Sequence, residues 1–131
     1  MAELKLEPYA VVQRWRLPGV DPKWEEILSE YLQSLAQECQ QEAGNFIGHI
    51  KALALSGEDQ YLRISVTDPG RPASVEGSVL AGQNSLELTL NVIVYGLGHD
   101  FLKQITEKRA AEIAAKWNGE VNSRTIHQHE I

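Results

Sequence analysis

The chain has 131 residues, 43% of them hydrophobic and 23% charged, the size and composition of one globular domain around one core. Its 18 acidic residues outnumber its 12 basic ones, and the net charge of -6 disfavours a general nucleic-acid or anionic-membrane binder. The lone cysteine, Cys39, excludes an intrachain disulfide and a cysteine metal cluster, and no run of about 18 apolar residues marks a membrane span, so a cytoplasmic, unexported protein is expected.

The first element is 9-YAVVQRWRL-17, a strand rich in β-branched and aromatic residues. Val11, Gln13, Trp15 and Leu17 alternate with Val12, Arg14 and Arg16, and Pro18-Gly19 ends the run. The clearest helix follows. Asp21 is placed as its N-cap and Pro22 at its first position, with Trp24, Ile27, Leu28, Tyr31, Leu32, Leu35 and Cys39 at the spacing of one face. Gly44 closes it as a left-handed cap, and Glu25, Glu26, Glu30, Glu38 and Glu42 are assigned to a solvated face.

Residues 46–55 read as a strand, 57–60 as a turn and 61–68 as the antiparallel partner. In the last of these, Leu62, Ile64 and Val66 oppose Tyr61, Arg63, Ser65 and Thr67, the pattern of a sheet covered on one side only. The stretch 69–85 is read as a long loop, with room for a short strand at Ser74 to Leu80. Residues 86–97 form a long strand with Leu86, Leu88, Leu90, Val92 and Val94 on one face and Glu87, Thr89, Asn91, Ile93 and Tyr95 on the other. Gly96 and Gly98 break it. His99 or Asp100 is expected to cap a second helix at 101–117 that uses Phe101, Leu102, Ile105, Ile113 and Trp117 and ends at Gly119. The tail 121–131 is either an edge strand or frayed.

This order predicts a single α+β domain, a two-layer sandwich of a mainly antiparallel sheet with two helices on one face. In element order it resembles ferredoxin-like folds with an extra strand or hairpin, an architecture that hosts many activities.

The outward phase carries Arg14, Arg16, His49, Lys51, Tyr61 and Arg63, a basic lean within an acidic chain. Guanidinium and ammonium groups bind carboxylates and phosphates, so a small anionic ligand at the rim of this face is one expectation. Gly96 and Gly98, where a strand enters a helix, and Arg71, between Pro69 and Pro72, are further candidate ligand contacts. Ile47, Leu53, Leu55 and Ile93 share the outward phase, and such a mixed face suits packing on a second copy.

The leading expectation is therefore a non-catalytic, self-associating domain. A small enzyme acting on an anionic substrate is the alternative, with His49 or His99 as general base. Single-stranded RNA on the sheet is third, with Tyr61 and Tyr95 stacking bases. No cofactor and no metal are expected: His127 and His129 share a strand phase that could join His49 or Asp100 around zinc, but a spacing of two arises readily by chance. No nucleophile elbow, HExxH helix or Walker loop is present.

Overall fold

The computed structural model describes residues 8–19, 21–57, 59–77 and 82–125. In chain order its elements are β1 (Tyr9–Arg16), α1 (Trp24–Ala43), β2 (Gly48–Ser56), β3 (Gln60–Val66), β4 (Ser74–Gly77), β5 (Ser85–Val94), α2 (His99–Lys116) and β6 (Glu120–Thr125). The strands form one open antiparallel sheet in the order β4-β3-β2-β5-β1-β6. β5 lies between β1 and β2 and runs against both, so β1 and β2 are parallel and α1 is the crossover between them. α2 carries the chain from β5 past β1 to the edge at β6.

Strand parity decides what is buried. Tyr9, Val11, Gln13 and Trp15 of β1 are buried, as are Leu62, Ile64 and Val66 of β3 and Leu86, Leu88, Leu90, Val92 and Val94 of β5. These sets meet Trp24, Ile27, Leu28, Tyr31, Leu32, Leu35 and Cys39 of α1, and Leu102, Ile105, Ala110, Ile113 and Ala114 of α2. The amide of Gln13 organises the centre of this core. Its Oε1 accepts from Trp15 Nε1 at 3.1 Å, and its Nε2 donates to the Tyr31 hydroxyl at 3.0 Å. That hydroxyl donates in turn to the Thr106 carbonyl at 3.0 Å, so one satisfied polar chain links β1, α1 and α2.

Several local expectations change. Asp21 does not cap α1: its φ of 56° is left-handed, outside the extended range of an N-cap, and its Oδ1 accepts from the Gly82 N–H at 3.0 Å instead. Lys23 takes the cap position without a side-chain bond, and Trp24 Nε1 ties the helix start to the Gln83 carbonyl at 2.7 Å. Gly44 closes the helix with φ 82°.

α2 starts at His99 with Gly98 as cap, so His99 and Asp100 lie inside its first turn. It stops at Lys116, which leaves Trp117 outside the helical phase and 45% exposed rather than in the core. Glu38 and Glu30 are not merely solvated: they pair with Arg109 and Lys116 and tie α1 to α2.

Two regions read loosely from sequence contain strands. β4 lies within 69–85, entered through a turn in which Asp68 accepts from the N–H groups of Gly70 and Arg71. β6 takes up the first part of the tail and pairs with β1. His127 and His129 lie outside the described residues. Among the described residues, no helix is long and apolar enough to cross a membrane.

Candidate functional site: the uncovered sheet face

Register places the outward side chains in cross-strand rows. One row reads Ser74, Ser65, Lys51, Asn91 and Ala10 across β4, β3, β2, β5 and β1. The next reads Glu76, Arg63, Leu53, Thr89, Val12 and Arg124, and crosses all six strands. A third reads Tyr61, Leu55, Glu87, Arg14 and Asn122. Side chains directly opposite in a row stand about 5 Å apart, so each row is a strip of neighbouring groups.

The cations of this face are partly neutralised. Arg63 pairs with Glu76 at 3.4 Å and stacks over the Tyr61 ring at 5.5 Å, and Arg14 pairs with Glu87 at 3.8 Å. Both are cross-strand neighbours, a relation that sequence distance hides. Among the described residues, Lys51 and Arg16 form no ion pair with a carboxylate.

The first two rows border a hollow of about 570 Å³, whose rim carries Lys51, Arg63, Ser65, Ser74, Thr89 and Asn91. Leu53 supplies apolar surface within it, and Glu76 stands at its β4 margin. Of the candidate ligand residues, Lys51 and Arg63 come together here. Arg14 lies on a separate shallow depression with Leu55 and Glu87, and Arg16 on another with Asn118 and Glu120.

Arg71 lines none of these hollows. Its guanidinium pairs with Asp68 at 3.6 Å, and its carbonyl accepts from Gln33 Nε2 of α1 at 2.9 Å, which draws the loop toward the helical side.

Gly96 and Gly98 line none of these hollows. Gly96 has φ 89° and serves a left-handed turn, whereas Gly98 is extended with φ -82°. The two candidate bases do not meet either. His49 is half-buried on β2 opposite Ile93, in the outward phase. His99 packs edge-on against the ring of Tyr9 at 4.9 Å, and Tyr9 belongs to the buried phase of β1. The histidines thus attach to opposite sides of the sheet. Among the described residues, no three His, Cys, Asp or Glu side chains gather as a metal site would require.

Burial pushes the Cys39 thiol up to about 12, with the Glu38 charge adding to the rise, so it is a packed neutral group rather than a nucleophile. Ser74 and Glu76 are the contributors that the sequence pattern concealed, because they sit in a stretch dominated by proline and glycine.

The chain matches no protein-family model, no curated protein and no solved structure.

Proposed function

We propose that this chain is a non-catalytic domain that self-associates through its open sheet face. In this reading the interleaved β1–α1–β2 and β5–α2–β6 units form a ferredoxin-like two-layer sandwich extended by the β3–β4 hairpin.

The observation that carries the proposal is apolar surface on the side that no helix covers. Ile47 is 47% exposed just before β2 and Leu55 41% near its far end, with half-buried Leu53 next to Leu55, Ile93 opposite His49, and Val12 on β1 between Thr89 and Arg124. Water contact with this apolar surface is unfavourable by about 25 cal/mol per Å², and a second copy removes it.

Charge order favours a copy of this chain as the partner. The row from Glu76 to Arg124 is acidic at one margin of the sheet and basic at the other. A two-fold axis along the strands lays Glu76 of one copy over Arg124 of its partner, and does so twice. The face spans five strand spacings, about 24 Å, by strands about 26 Å long, the scale of a standard interface of about 800 Å² per partner.

Light scattering on the eluted wild-type and Leu55→Glu proteins tests this reading. Wild type should elute as a dimer and the variant as a monomer with unchanged circular dichroism. A monomeric wild type would reject it.

A further inference from the structure

We infer that the hollow over β2, β3, β4 and β5 binds a small organic monocarboxylate, with Lys51 holding the carboxylate and Leu53 carrying the apolar body. The inference rests on the open face being the working surface, as self-association does. It does not need the dimer, because one chain forms the whole hollow, and in the proposed dimer the partner copy covers that hollow, so ligand binding and self-association compete.

The volume of about 570 Å³ falls within the range of small-molecule sites, roughly 300–1,000 Å³. Register decides what a ligand would meet there. Ser74, Ser65, Lys51 and Asn91 occupy one row on four adjacent strands, so their hydroxyl, ammonium and amide groups face the same strip of space. Thr89 adds a hydroxyl from the next row, beside Leu53. Among the described residues, none of the side chains of Lys51, Ser65, Ser74, Thr89 and Asn91 takes part in a hydrogen bond or ion pair within the protein. Their bonding capacity is open to a ligand.

The same geometry fixes the charge of that ligand. Arg63 reaches the hollow already paired with Glu76, which offsets its charge. Lys51 is then the single cation of the hollow without a carboxylate partner among the described residues. One uncompensated positive charge beside one carboxylate favours a monoanion over a dianion, because the second negative charge of a phosphate monoester meets Glu76 without a further cation to balance it. An apolar body follows from Leu53, which is half-buried at the middle of the second row.

Three probes with a shared aromatic ring separate the contributions: benzoate, phenyl phosphate and benzyl alcohol. Each is titrated into the isotope-labelled Leu55→Glu protein, whose face is open and whose substitution lies outside the hollow, at pH 7.5 while amide resonances are followed. Benzoate should shift the amides of Lys51, Leu53, Ser65 and Asn91 with a Kd below about 1 mM, and benzyl alcohol should bind about tenfold more weakly. Lys51→Gln should weaken benzoate about tenfold, and Arg16→Gln should leave it unchanged.

Wild type should bind benzoate more weakly at concentrations where it is dimeric and recover the Leu55→Glu affinity on dilution, so loss of self-association and loss of binding are read separately. Tighter binding of phenyl phosphate than benzoate would overturn the assignment of a monocarboxylate. Absence of shifts with every probe, or benzoate binding unaltered in Lys51→Gln, would overturn the site.

Discussion

Glu76 on β4 and Arg124 on β6 close the two ends of a single cross-strand row that passes through Arg63, Leu53, Thr89 and Val12. In the proposed dimer these ends meet across the two-fold axis. Glu76→Arg should therefore weaken dimerisation by about 0.5–2 kcal/mol, since it sets an arginine over Arg124 of the partner twice and also sets one against Arg63 of its own chain. The double exchange Glu76→Arg with Arg124→Glu should recover most of that loss. Dilution isotherms for the three proteins measure both effects, and failure of the double exchange to recover affinity would argue against this orientation.

Gln13 is the most consequential buried polar residue of the fold. Gln13→Leu leaves Trp15 Nε1 without its acceptor and removes the donor to Tyr31, at a cost of about 1–3 kcal/mol. Urea unfolding should show a lower midpoint with an unchanged slope. The open-face properties should persist in this variant, since Gln13 lies in the buried phase of β1.

Cys39 gives stability an alkaline limit. Burial disfavours its thiolate, with the Glu38 charge adding to the effect, and pushes the thiol from its ordinary 9.0 up to about 12. Between these values the folded chain keeps a proton that the unfolded chain has released. The stability is complete below about pH 9 and falls as pH rises toward 12, by at most about 1.4 kcal/mol per pH unit. Burial raises Tyr31 as well, which adds a loss of the same sign above its usual value of 10.0. Urea midpoints between pH 8 and 10 should fall in wild type and stay nearly level in Cys39→Ala.

Gly48 at the start of β2 and Gly98 at the start of α2 should respond to substitution to different degrees. Gly48 has φ 147°, and a Cβ there would overlap the Ile93 carbonyl of the paired strand. Gly48→Ala should cost about 1–3 kcal/mol. Gly98 has an extended backbone and open space around it, so Gly98→Ala should cost only about 0.5–1 kcal/mol, the difference between glycine and alanine at a helix N-cap. Thermal unfolding of the pair distinguishes a glycine required by the backbone from one that is not.

What was legible in the sequence was whatever depends on near neighbours along the chain. The alternation in β1, β3 and β5 named the buried residues, and the spacing from Trp24 to Cys39 named the buried face of α1. The site depends on partners far apart in the chain. Lys51 faces both Ser65 and Asn91 only because β2 lies between β3 and β5, and no local pattern specifies that order. The pairs Arg63–Glu76 and Arg14–Glu87 escaped notice for the same reason, which made the face read as more basic than it is. β4 was obscured by its length of four residues, all exposed, so no alternation of burial marked it. Trp117 was misplaced because its helix stops one residue short of it, where Asn118 turns left-handed with φ 55°.

Sedimentation velocity of the wild-type protein over a dilution series decides whether the open face joins two copies of the chain. A boundary at twice the chain mass should give way to the single-chain boundary on dilution, with Leu55→Glu and Ile93→Glu sedimenting as single chains throughout. A wild-type protein that sediments as a single chain at every concentration, or a dimer that both substitutions leave intact, would contradict it.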